Sequence, residues 1–165
     1  MTTESCQSLL EETRAQAHDR CVVCGHVNGH TPRLRFAVAD DGSVQAVFQP
    51  DRACEGYTGI LHGGVIATLL DAAMTNCLFA HGRCGLTAEL NVRFRHPVVS
   101  DTPLRLRACV ERSSPPLYVL RAEIQQAGQV RATAIGKFME KGHTAAMRVH
   151  DAACRGLQVS VTRKT

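Results

Sequence analysis

Residues 65–80 read VIATLLDAAMTNCLFA, and the reading of this stretch decides the fold. It is apolar on almost every side, too long for an ordinary strand, rich in helix formers and preceded by Gly63 and Gly64. It therefore reads as one buried helix that needs cover around most of its circumference. The period then changes to two: Leu90, Val92 and Phe94 alternate with Glu89, Asn91, Arg93 and Arg95 until His96-Pro97 ends the run. That is a strand with one wet face.

Working outward, Leu34, Phe36 and Val38 alternate before a turn at Asp41-Gly42, and Val44, Ala46 and Phe48 alternate after it, so a hairpin precedes the helix. Three alternating segments, 104–110, 117–125 and 130–139, follow the first strand after the helix. The order strand, strand, helix, four strands predicts an α+β domain, a strongly curved antiparallel sheet of five to six strands wrapped around one central helix. Residues 3–18 read as a short helix, with Leu9, Leu10, Thr13 and Ala17 at helical spacing, serving as a lid or packing arm. The expected organisation is an arm at 1–20, one domain at 21–140 and a tail at 141–165, with a short helix near 145–154 or no order.

The 165 residues are enough for one core. The first twenty carry six charged residues and no apolar run, so neither a signal peptide nor a membrane span is expected, and a cytoplasmic protein is. Eight cysteines then stay reduced. The net charge of +4 is carried mostly by scattered arginine, which suits a small polyanion as well as nucleic acid. With aromatics at 4%, a stacking platform for bases has little material, and nucleic-acid binding is not expected.

Asp71 is the one acidic side chain in the buried helix, and at 3.6 residues per turn Thr68, Asp71 and Thr75 share a face. A carboxylate there is either capped and paired structurally or held with a raised pKa for chemistry. His62, Gly63 and Gly64 stand where the helix begins. The first N–H groups of a helix lack internal partners, and glycine lets a ligand approach them, as an oxyanion hole requires. Each feature alone has a plainer reading: a tight turn for the glycines, a cap or core position for His62.

The stretch GYTGILHGGVIATLLDAAM at 56–74, followed by TAELNVRFRHPV at 87–98, resembles the hotdog-fold thioesterases of the phenylacetyl-CoA thioesterase type, over residues 21–139. The resemblance implies an acyl-CoA thioesterase acting on an aryl- or fatty acyl-CoA. In it Asp71 matches the catalytic aspartate, base or nucleophile; Gly63 the residue whose N–H polarises the thioester carbonyl; His62 the histidine that orients the site; and Thr87 a hydroxyl near the attacking water. It further implies a site between two protomers, hence a homodimer or dimer of dimers. Many relatives carry an amide side chain six or seven residues before the histidine, where this chain has Glu55 and Gly56; Glu55 either replaces the amide or faces solvent.

Arg83, Arg93 and Arg95 are candidates for the phosphates of CoA, which is substrate rather than cofactor; the plainer reading is a solvated strand face. Cys21 and Cys24, followed by His26 and His30, have the spacing of half a zinc site, but the second pair is missing. A structural turn without metal is the favoured reading. Two further functions compete. A hotdog hydratase or dehydratase pairs a histidine with a carboxylate, and usually carries proline and glycine after the histidine and glutamate in the helix. A non-catalytic acyl-CoA binding or sensing protein gains nothing from Asp71.

Overall fold

A computed structural model describes residues 2–25 and 34–140, so the expected tail helix near 145–154, together with His26 and His30, lies outside the described residues. The elements in chain order are helix α1 (Thr3–Ala17), strands β1 (Ala37–Val38) and β2 (Val44–Phe48), a 3-10 turn (Arg52–Cys54), strands β3 (Glu55–Tyr57) and β4 (Ile60–Leu61), helix α2 (Gly63–Phe79), and strands β5 (Gly85–Phe94), β6 (Leu104–Ser114), β7 (Leu117–Gln126) and β8 (Gln129–Glu140). Six strands form one antiparallel sheet in the order β1-β2-β6-β7-β8-β5, and β3 and β4 form a separate small ladder. Helix α2 packs across the sheet, against β2, β5, β6, β7 and β8. This is the α+β, helix-in-sheet arrangement that the periodicities require.

Burial follows the same logic. In β7 every second residue from Tyr118 to Gln126 is buried, while α2 is closed on all sides from Ala72 to Ala80. Its first turns, at Gly64 and Thr68, are open to solvent. The helix therefore enters the sheet from an exposed N-terminus.

Three details were not in the sequence reading. The β3–β4 hairpin is too short to show a period. Strand β1 is two residues long, and Gln7 of α1 satisfies backbone groups on its outer edge: Val38 N–H donates to Gln7 Oε1 at 2.8 Å and Gln7 Nε2 donates to the Phe36 carbonyl at 3.3 Å. Leu34 and Phe36 are buried all the same. Helix α1 is thus a packing arm that covers one sheet edge and seats Leu10 fully in the core. The opposite edge, β5, runs ten residues and leaves Leu86 and Phe94 about half exposed.

Candidate active site

His62 is the N-cap of α2, in extended conformation, and its Nδ1 accepts from the Gly64 N–H at 2.9 Å. This is the capping geometry usually supplied by serine or aspartate. Glycine on both sides makes room for the ring. A Cβ at Gly64 would lie 2.9 Å from His62 Nδ1, and one at Gly56 would lie 3.0 Å from His62 Cδ2. The backbone of His62 is anchored by its N–H, which donates to the Cys54 carbonyl at 2.8 Å. The Gly64 N–H is therefore committed to the cap, and the Gly63 N–H is among the first-turn donors that the imidazole does not take. An apolar cleft of about 320 Å³ opens beside Gly63, walled by Ile60, Ile66, Phe94, Pro97 and Val98.

Two turns along α2, Asp71 is half-buried and accepts a hydrogen bond on Oδ1 from Thr87 Oγ1 at 2.7 Å. Strand β5 presents that hydroxyl at an irregularity: the register with β8 shifts between Thr87 and Glu89, the kind of bulge that re-aims a side chain. Burial raises the Asp71 pKa above the usual aspartate value; the Thr87 hydroxyl and the nearby His18 oppose that rise, and Cys21 adds to it. Thr68 is spent locally, its Oγ1 donating to the Gly64 carbonyl at 2.8 Å, and Thr75 is buried. Of the predicted threonine-lined face, Asp71 alone is poised between core and solvent.

The other predicted site residues separate into groups. Glu55 is partly exposed and its carboxylate is engaged within the chain. Its Oε1 accepts from Ser100 Oγ at 2.6 Å, and that bond, a backbone bond from Gly59 and the charge of Arg52 hold its pKa below the ordinary value. It ties the β3–β4 turn to the segment after β5. Arg93 and Arg95 share the outer face of the sheet with Arg121, around a cleft of about 350 Å³. Arg83 lies beyond the opposite end of β5, roughly 30 Å away along an extended strand, and pairs with Glu140 at 3.2 Å. The three arginines are not one cluster. Leu70, Met74 and Phe79 are at most 2% exposed and fill the core.

Sequence reading missed His18. It caps the C-terminus of α1, packs edge-on against Phe79 with ring centroids 5.3 Å apart, and brings its Nδ1 to 3.7 Å from Cys24 Sγ. With Cys21 these atoms all lie within 4.8 Å of one another. A hydrogen bond from the Cys24 thiol, helped by His18, holds Cys21 well below the usual thiol range, and the same bond pushes Cys24 up. No spacing rule pairs a histidine at a helix end with a cysteine pair downstream, so nothing in the sequence marked it.

A family model for the thioesterase superfamily matches residues 58–133, from the β3–β4 turn through α2 and into β8. Over that stretch the chain is similar to the thioesterase superfamily. The chain is 37% identical over 63 residues to the acyl-coenzyme A thioesterase THEM4 of Bos taurus, a match that covers 38% of this chain and 25% of that protein. It thus spans about a quarter of the length of the curated relatives it matches. The solved structure of RHA08564, a thioesterase superfamily protein, superposes with a TM-score of 0.67 at 30% identity, covering 71% of this chain and 61% of that one. A phenylacetic acid degradation-related protein of Ralstonia eutropha JMP134 does so with a TM-score of 0.60 at 26% identity, covering 66% and 85%. The hotdog fold that the resemblance implied, and with which the helix and strand order agrees, is the fold of these solved structures.

Proposed function

We propose that this chain hydrolyses acyl-CoA thioesters, with Asp71 as the catalytic carboxylate. The observation that carries the reading is the Asp71–Thr87 pair: a half-buried carboxylate with a raised pKa and one oxygen fixed by a hydroxyl. The name of the Bos taurus relative supports acyl-coenzyme A as the substrate class. The Ralstonia relative supports an aryl acyl group over a purely fatty one.

In this mechanism Asp71 takes a proton from water as the water oxygen attacks the thioester carbonyl carbon. The carbonyl oxygen becomes negative and is held by the Gly63 N–H at the positive end of α2. Collapse breaks the C–S bond, and the sulfur leaves as CoA thiol with the proton returned from Asp71. The free acid is the second product. Direct attack by Asp71 gives an anhydride that water then opens, with the same products.

Gly63 and Asp71 lie on one helix more than two turns apart, about 12 Å along its axis, too far to serve one carbonyl. The reading therefore needs a homodimer in which each protomer supplies one of the two. The open ten-residue edge of β5, with exposed Leu86 and Phe94 and with Thr87 on it, is the surface that such a dimer would use. The cleft beside Gly63 suits the apolar part of the substrate, and Arg93 and Arg95 its phosphates.

Release of CoA thiol from a panel of aromatic and aliphatic acyl-CoAs tests the proposal. Turnover by the parent protein and a loss of about 100-fold or more in Asp71→Asn is the expected result. Binding without turnover in the parent protein would make it a non-catalytic acyl-CoA binder.

A further inference from the structure

We propose that His18, Cys21 and Cys24 form a metal site for a thiolate-preferring divalent cation of the zinc class, built where the end of α1 docks on α2. The geometry matches. In a tetrahedral zinc site with ordinary bond lengths, a sulfur and an imidazole nitrogen sit about 3.6 Å apart and two sulfurs about 3.8 Å apart. His18 Nδ1 lies 3.7 Å from Cys24 Sγ, and all three donor atoms fall within 4.8 Å of one another. Among the described residues three ligands come together, two of them thiols.

The surroundings are those of a formed ligand set. The Val23 N–H donates to Cys21 Sγ at 3.3 Å, and Asn76 Nδ2 donates to Cys24 Sγ at 3.6 Å. Such N–H donors orient metal-bound sulfur and spread its charge. Asn76 is fully buried in an apolar stretch of α2, and its Oδ1 has no partner among the described residues. The same Nδ2 donates to the Ala72 carbonyl at 2.8 Å, which holds the amide in place beside the sulfur. The chain is clamped around the pair: the Cys21 N–H donates to the His18 carbonyl at 3.1 Å and the Gly25 N–H to the Cys21 carbonyl at 3.0 Å. At Gly25 a Cβ would lie 2.4 Å from the Asp19 carbonyl oxygen, so the turn admits only glycine.

Binding replaces the two thiol protons by the cation, and no oxidant enters. A Cys21–Cys24 disulfide is the competing fate, and it needs one.

The test uses the full chain, reduced with a phosphine, freed of metal with a chelator and titrated with Co(II). One equivalent per chain is expected to give thiolate-to-cobalt charge-transfer absorption in the near ultraviolet with intense tetrahedral d–d bands, both erased by stoichiometric Zn(II). Zn(II) should also protect two thiols, mapped by mass spectrometry to Cys21 and Cys24, from maleimide in the parent protein. This readout needs no variant to fold. Cys24→Ser should abolish the charge-transfer band, and His18→Gln should weaken binding at least tenfold, with circular dichroism confirming the fold of each. Absence of the band in the reduced parent protein, unchanged maleimide reactivity with Zn(II), or a His18→Gln variant with parental spectrum and affinity would each overturn the proposal.

Discussion

At the N-terminal end of α2 the functional geometry is assembled from a short run of chain, whereas in the middle of the same helix Asp71 is defined by groups from three elements. The first region uses Gly56, His62, Gly63 and Gly64: a side-chain cap, two close approaches and a backbone donor, all within one β-hairpin and one helical turn. The second uses Thr87 of β5 and the electrostatic influence of His18 and Cys21 beyond α1. A local device can be damaged without moving the sheet. A tertiary device depends on how α1, α2 and β5 dock.

The sharpest way to break the comparison is to ask whether the two regions act on one substrate across a dimer. Gly63→Pro removes the proposed oxyanion N–H at a position where proline suits a helix, since His62 already has the extended conformation that a following proline demands. Gly63→Pro and Asp71→Asn should each lower kcat by about 100-fold. Mixed and reassembled together, they should recover about a quarter of the parental activity, because a heterodimer holds one intact site. No recovery would place both residues in the same protomer's site.

A smaller effect is expected at Thr87. Thr87→Val should reduce kcat/KM by about tenfold, with Thr87→Ser restoring most of it. The acid limb of the pH–rate profile should shift as well. Asp71 must be ionised to act as base, so activity rises as pH climbs through its raised pKa, and removal of the Thr87 donor should move that limb to still higher pH. The same shift has a stability consequence of opposite sign to the usual carboxylate. With its folded pKa above the unfolded value, Asp71 favours the folded state below the unfolded pKa and loses that contribution as pH rises through the folded pKa. Asp71→Asn should therefore unfold at the same or a higher temperature than the parent at neutral pH, as thermal melts against pH would show.

At the local end, His62→Ala should cost about 0.5–2 kcal/mol of stability through loss of the cap, and His62→Asn should retain most of it. Chemical denaturation reads this directly. The smallest effect belongs to Glu55. It is engaged by Ser100, so Glu55→Gln should leave kcat/KM within about twofold of the parent. Its lowered pKa gives it the ordinary carboxylate sign: the stability it lends is present above the unfolded pKa and fades as pH falls through the folded one.

How much of this was legible in the sequence follows the same division. The helix at 65–80 and the alternating strands were readable because periodicity reports which side of an element meets the core, and six strands around α2 is the packing those periods demand. The helix starts at Gly63 rather than Val65 because an imidazole can cap, a use of histidine that capping preferences do not signal. The hydroxyl on Asp71 was reached only by resemblance, since nothing in the alternation of β5 selects Thr87 over its neighbours. Within the chain Arg83 stands apart from Arg93 and Arg95 for a related reason: the spacing of residues in sequence does not say which partner each will meet in the fold.

By itself, then, the sequence determined the elements, their buried faces and the chemistry available at the start of α2, because those are properties of near neighbours and of repeating spacing. Only the tertiary structure decided which hydroxyl meets Asp71, which of the three arginines share a cleft and that His18 meets the cysteine pair. Each of those contacts depends on the docking of separate elements, and docking is set by the fit of whole surfaces that no short stretch of sequence records.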